Sequence, residues 1–549
     1  MGTTAQKLQA ILDSKADIAS AIEEKGGTVP TKLSDYGDAI RNLPTGGTVQ
    51  PDVEFIDYDG RTLYSYTFAE ASALEEMPGL PTRTGFINEG WNYDLPELTG
   101  AAVAGKRVIV GCTYITDDDI TRIHITLPAD DLTFYFAFGQ TESSSVEINW
   151  GDGTTNVVGM SAQTTRAHEY TTSGDKVISI TPLKSYATLK FDGNIGGSGA
   201  VQNNQKITDI ELGKIAAIGN YAFSCCDKIN AISIPKNTTI NNYCLDSMVD
   251  LKSFVVPNTV TSIPQNMFEY CSRLTKVSIP ATTTTIGNSA FYGCSSLTDI
   301  GLVNVTTIGE SCFERCTDLI RIQAKGVTLF PTRCFYSCGV LKTLDVGAIT
   351  GIMGNSFYGC GDIESVGTAT ITEFGSGTAN FAYCDDLTEI GILEIPAASS
   401  NNYKPTIGTD CFRECKSLRT LVVRPDDTTT ALQISANAFL KAGITTYDFS
   451  RCTQVPVVAS NAFSQSASDK VIKIPLSGES SWKNADVWKN FPIAANVNPY
   501  RDNISYSVGD FCVQDHIYYR CKTACNAGPW NTNKSKFETV SGFLLTVSV

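Results

Sequence analysis

His124, His168 and His516 are the only histidines in 549 residues, and they stand far apart in sequence. A metal centre or a nucleophile–base pair built on histidine has few ways to form from them. Neither a Gly-x-Ser-x-Gly elbow nor a His-Glu-x-x-His pair occurs. With 57 acidic residues, paired carboxylates arise without function and diagnose nothing. Asp152 and His168 could do acid–base work, but both sit in a turn-and-strand pattern that reads as structural. Asp117-Asp118-Asp119 offers calcium-type ligands without the ligand spacing of a dedicated loop, so a solvated turn is expected. Of the 18 cysteines, eight recur at one place in a repeat. Equivalent residues of stacked coils point the same way, whereas a disulfide needs crossed geometry, so buried free thiols acting as small hydrophobes are expected. Four zinc ligands never converge with tetrahedral spacing. The expectation is no catalytic residue, no metal and no cofactor.

Composition bounds the partners. Lys and Arg total 42 against 57 Asp and Glu, a formal charge of −15. That argues against a general nucleic-acid binder, which needs a basic face to displace counterions. No run of 18 apolar residues offers a membrane span, and Met1-Gly-Thr-Thr-Ala-Gln-Lys carries no apolar leader, so no signal peptide is expected. Hydrophobic residues reach 42%, enough to fold, while length and low charge favour several β-rich units or one repeat array.

The dominant pattern is a repeat. Phe268, Phe291, Phe313, Phe335 and Phe357 follow one another at steps of 22 or 23. Three residues after each comes Cys271, Cys294, Cys316, Cys338 or Cys360, and three further on Leu274, Leu297, Leu319, Leu341 or Ile363. A period near 22 with several inward apolar positions means a solenoid, in which stacked coils bury a face that no coil can bury alone. The phrase Ile286-Gly-Asn-Ser-Ala-Phe-Tyr-Gly-Cys-Ser-Ser-Leu297 resembles the BspA-like leucine-rich repeat, over 207–493 including a C-terminal cap at Ser481–Phe491. The residue after each Phe is expected to be exposed. Tyr292, Tyr336 and Tyr358 then make a candidate ligand-binding stripe, with Glu269, Glu314 and Arg413 in other coils.

The flanking segments divide as follows. Apolar stripes at Leu8, Ile11, Leu12, Ile18, Ile22 and at Leu33, Tyr36, Ile40, Leu43 predict a helical hairpin over 1–46, a docking or oligomerisation head. Residues 53–120 read as a β-rich adaptor. Residues 121–195, with Trp150-Gly-Asp-Gly153 and His168-Glu-Tyr170, resemble a PKD-type β-sandwich. Residues 500–549 resemble the small family 5/12 chitin-binding modules through Gly509-Asp510, Tyr519-Arg-Cys521, Trp530 and Phe537-Glu-Thr-Val540. That resemblance implies carbohydrate binding on Trp530 and Tyr506, with Tyr519 next, although Phe537 stands where the family usually has Trp.

The expected architecture is a mainly β, multidomain string: head, adaptor, sandwich, solenoid, tip. The ensemble resembles phage tail-associated and receptor-binding proteins. The resemblance implies a non-catalytic virion tail fibre that recognises a bacterial-surface glycan or glycoprotein. Such a protein would be made in the host cytoplasm and released by lysis, would dock to tail or baseplate proteins through its head, and would be a homotrimer. The alternatives are a bacterial cell-surface adhesin of the BspA-like class and an envelope-degrading tail enzyme.

Overall fold

A computed structural model describes residues 51–548 apart from 141–143, 161–163, 184–188, 192–203, 368–372, 375–378, 396–405, 426–430, 451, 453, 467–468, 476–480, 483–484, 486–492, 496–497, 500–510, 515–516, 525, 527–532 and 540–541. The expected head, 1–46, lies outside the described residues. Among those described, the named elements are β-strands apart from the α-helices Phe68–Ser72 and Leu95–Val103 and the 3-10 turn Lys534–Lys536, with further helical residues at Asn204, Ser481–Trp482 and Asn533.

The repeat forms a β-solenoid. Each central coil gives two short strands, and each strand pairs in parallel with its equivalent one period on. One sheet runs through Asp299–Gly301, Arg321–Ala324 and Thr343–Val346, the other through Ser262–Ile263, Thr285–Ile286 and Thr307–Ile308. The phenylalanines are buried and stacked one per coil. Phe291 and Phe313 lie 5.4 Å apart at 4°, and Phe313 and Phe335 lie 5.7 Å apart at 7°.

The turn carrying each Phe follows an unusual rule. The residues two before and two after it both have positive φ, and most are not glycine: Ser311 (52°) and Arg315 (60°) flank Phe313, and Arg333 (58°) and Ser337 (61°) flank Phe335. A left-handed L-residue costs about 1–2 kcal/mol. The return is a hydrogen bond to the next coil: Ser311 N donates to Thr332 O (3.0 Å), Phe313 N to Cys334 O (2.9 Å) and Arg315 N to Tyr336 O (2.8 Å). Alternating handedness turns every second amide along the solenoid axis, so the turn itself acts as a third ladder.

The sandwich is continuous with the solenoid. Its two five-stranded sheets each accept a strand of the first coil. Ile207–Glu211 pairs antiparallel with Thr121–Leu127, and Ile215–Ile218 pairs parallel with Leu189–Phe191 and Thr239–Ile240. One hydrophobic core therefore runs from Ile123 and Trp150, through the Phe stack, to Trp482. The sandwich closes the open end of the first coil.

The units are not arranged as a string. Residues 51–116 form a four-stranded sheet with Val108–Thr116 in its interior and fold back onto the first sheet of the solenoid. Asn92 Nδ2 donates to Val256 O (2.9 Å) and Ser278 Oγ (2.8 Å), and Tyr93 Oη donates to Ile279 O (2.6 Å). The approach requires glycine. A Cβ on Gly111 would stand 2.4 Å from Val255 Cγ2, and one on Gly301 2.4 Å from Arg107 O. Arg107, buried here, pairs with Asp299 and Glu54, and Glu54 also takes Lys276. Burial raises the Asp299 carboxyl above its usual range, against the pull of Arg107.

The C-terminal strand departs from the string as well. Gly542–Ser548 lies between Asp469–Pro475 and Ile493–Ala495, parallel to both, within the solenoid's sheet. The hairpin Phe511–Gln514 with Ile517–Cys521, and Phe537–Thr539 beside it, is thus an excursion from which the chain returns.

Candidate functional site

The turns raise a ridge of aromatic and cationic side chains along the solenoid. Its first part joins Tyr270 and Tyr292, whose rings meet edge-on at 5.2 Å, with the Arg315 guanidinium 5.7 Å above the Tyr292 ring. In the next coil the residue after Phe313 is Glu314. It is buried, not exposed as the repeat position suggests, because Arg333 folds across it: Arg333 Nε donates to Glu314 Oε2 at 2.8 Å, and a second guanidinium nitrogen donates to Oε1. The same guanidinium lies 4.0 Å from the Tyr336 ring centre. Tyr336 stacks on Tyr358 at 4.5 Å and 5°, Tyr358 meets Tyr383 edge-on at 5.4 Å, and Arg413 stands 5.4 Å from Tyr383.

This arrangement brings Tyr336 and Tyr358 together and places Tyr292 two coils away, with Glu314 and Arg333 between. The three tyrosines are half-buried. Their geometry limits the chemistry they can offer. The faces of Tyr336 and Tyr358 cover one another, and Arg333 covers the outer face of Tyr336. What remains for a partner is ring edges, phenolic hydroxyls that both donate and accept, and guanidinium N–H donors. Burial raises the Tyr292 and Tyr358 hydroxyls above their ordinary value, with the neighbouring tyrosines adding to it, so both stay protonated donors at neutral pH. The sequence signal for Arg333 and Tyr383 is weak, because they occupy the left-handed positions rather than the one after Phe.

The profile of the BspA type Leucine rich repeat region matches the chain in six copies, over 188–275, 261–388 and 377–503. The chain belongs to the BspA-type leucine-rich-repeat family. No curated protein matches it. Among solved structures, a leucine-rich repeat protein from Bacteroides ovatus is 18% identical over 56% of this chain and 95% of its own, with a TM-score of 0.29. A leucine rich cell surface protein from Faecalibacterium prausnitzii is 22% identical over 38% and 69%, with a TM-score of 0.24. The leucine-rich repeat protein of T. pallidum is 21% identical over 25% and 75%, with a TM-score of 0.20.

On this BspA-type chain the other sequence candidates belong to the flanking segments. Trp530 and Tyr506 lie outside the described residues. Tyr519 is in the strand Ile517–Cys521, opposite Cys512 and Thr539. In the sandwich, His168 Nε2 and Asp152 Oδ2 meet at 2.8 Å, and Asp152 also accepts from Thr154 Oγ1 (2.6 Å) and N (2.9 Å). Trp150 stacks on His168 at 4.7 Å and 10°, and Tyr170 Oη donates to Trp150 O. These bonds tie the Trp150–Thr154 turn to the strand that carries His168 and Tyr170. Burial opposes ionisation of Asp152, but bonds from Thr154 and His168 outweigh it and bring its pKa down to about 2. In the Asp117–Asp119 turn, Asp118 pairs with Arg122 and accepts from Ile120 N, so that carboxylate is already engaged.

Proposed function

We propose that this BspA-type protein is an adhesin-type, non-catalytic recognition protein whose solenoid ridge binds a bacterial-surface glycan or glycoprotein. The observation that carries the proposal is the run of Tyr and Arg side chains from Tyr270 to Arg413 on a rigid stack of coils. A rigid row of donors suits an acceptor-rich partner that makes weak contacts summed over several coils. The strand face is less available, because residues 51–116 cover part of it.

Family membership fits the adhesin alternative better than a virion tail fibre, for which neither the family nor the solved structures supplies support. The PKD-like identity of the sandwich and the carbohydrate-binding role of the tip rest on their sequence resemblances alone. On this reading the sandwich serves as the solenoid's cap, and Trp530 and Tyr506 form a second contact. The head at 1–46 would supply docking or trimerisation. Tyr336→Ala with Tyr358→Ala should sharply reduce binding of the full chain to bacterial cells. Release of sugars or peptides from envelopes by the purified chain would overturn the non-catalytic assignment.

A further inference from the structure

The outer face of the sandwich carries a cluster that the ridge does not use. His124 lies on Thr121–Leu127, and Asp209 and Glu211 lie on Ile207–Glu211, the strand that leads into the first coil. The ladder between these strands is irregular: Ile207 pairs with Ile125 but Asp209 pairs with His124. Without the extra residue Asp209 would stand opposite Ile123 and share its core-facing side. With it, Ile207 and Ile210 stay in the core while Asp209, Glu211, His124 and Arg122 share the outward face. Re-aiming a side chain in this way is a common use of a bulge.

One ligand atom from each of His124, Asp209 and Glu211 lies within 4.8 Å of the other two. His124 Nε2 is closed off from solvent and makes no hydrogen bond, with Glu211 Oε1 3.8 Å away. A buried polar atom without a partner is unfavourable. A cation held between the three donors would remove that cost. Arg122 is the competing positive charge. It pairs closely with Asp118 and stands 3.8 Å from Glu211 Oε2, on the carboxylate oxygen turned away from His124.

We propose that His124, Asp209 and Glu211 bind a divalent first-row transition ion of the zinc type. One imidazole nitrogen with two carboxylates suits such an ion better than calcium or magnesium, which take oxygen ligands. Zinc bonds of about 2.0–2.1 Å in tetrahedral geometry set ligand atoms roughly 3.3 Å apart, so the cluster closes by side-chain rotation as the ion enters. Water would take the fourth position. Because the ligands lie on the paired strands Thr121–Leu127 of the sandwich and Ile207–Glu211 of the first coil, the ion would staple the sandwich to the solenoid and stabilise only the native pairing.

The test uses the full chain with Zn²⁺ in titration calorimetry at neutral pH, and with Co²⁺ as a spectroscopic probe. The expected result is one ion per chain. Its affinity should fall roughly tenfold or more in His124→Asn and in Glu211→Gln. Zn²⁺ should raise Tm in the parent and not in His124→Asn, and Asp209→Asn should behave likewise, which covers a poorly folding variant. The Co²⁺ spectrum should show nitrogen and oxygen ligands without a thiolate charge-transfer band. Unchanged binding and Tm shift in these variants, a thiolate band from the cysteines, or no bound ion would each overturn the proposal.

Discussion

The thiol of Cys316 donates to the carbonyl oxygen of Phe291, one coil earlier, at 3.2 Å. The relationship recurs from Cys294 to Phe268 (3.1 Å), Cys338 to Phe313 (3.0 Å), Cys360 to Phe335 (3.1 Å) and Cys384 to Phe357 (3.0 Å). Each of those carbonyls also accepts the amide of the cysteine in its own coil, as Phe291 O does from Cys294 N at 3.1 Å. The cysteines are thus more than small hydrophobes: they occupy the second lone pair of a buried carbonyl. Serine at position 316 keeps the donor and valine removes it. Cys316→Ser is therefore expected to cost less than Cys316→Val in a denaturant melt, where the net worth of such a bond is about 0.5–1.5 kcal/mol. The reverse order would show that packing alone selects cysteine.

The same burial raises the Cys294 and Cys316 thiols well above their ordinary value. Both are unbridged. In the native chain they should not react with a thiol reagent at neutral pH. After denaturation without reductant they should react fully. Mass spectrometry of the labelled peptides checks this, and a coil-to-coil disulfide would contradict it.

Phe335 touches Phe313, Phe330 and Phe357. Phe335→Ala should destabilise by about 3–5 kcal/mol, because the coils above and below are fixed by three ladders and cannot collapse into the void. A loss below about 1 kcal/mol with unchanged slope would contradict the stacking register.

Arg333→Met should leave the Glu314 carboxylate buried without its partner. The expected cost is about 1–3 kcal/mol, and Glu314→Gln in the same background should recover part of it. Thermal melts of the two single variants and the double variant measure the coupling.

Low pH should loosen the sandwich turn. The folded pKa of Asp152, about 2, lies below its ordinary value of 3.8. Its contribution is therefore fully present above about pH 4 and lost as pH falls through about 2. The stability gap between the parent and Asp152→Asn should narrow over that window, as followed by circular dichroism. A gap that is constant from pH 5 to about 2 would place the stabilising charge elsewhere.

The family and the Phe register are legible in the sequence because a 22-residue period repeats one local rule many times. The ridge is only partly legible. Tyr292, Tyr336 and Tyr358 follow from the position after Phe, but Glu314 is buried through an Arg333 that occupies a left-handed site no glycine marks. Docking of the adaptor is not legible, since Asn92 and Ser278 are 186 residues apart and nothing local announces their contact. The His124 cluster is hidden for a similar reason: a strand pairing, shifted by one residue, supplies the carboxylates that sequence distance separates.

The ridge is tested most directly by replacing Tyr336 and Tyr358 together with phenylalanine, which keeps the stack and removes only the hydroxyls. Binding of the full chain to a glycan array and to bacterial cells is measured beside its melting temperature. Loss of two donors should weaken binding roughly tenfold, at about 0.5–1.5 kcal/mol each, while Tm stays unchanged. Parental binding by this double variant, with binding abolished instead by Trp530→Ala and Tyr506→Ala, would contradict the ridge and make the C-terminal excursion the reader.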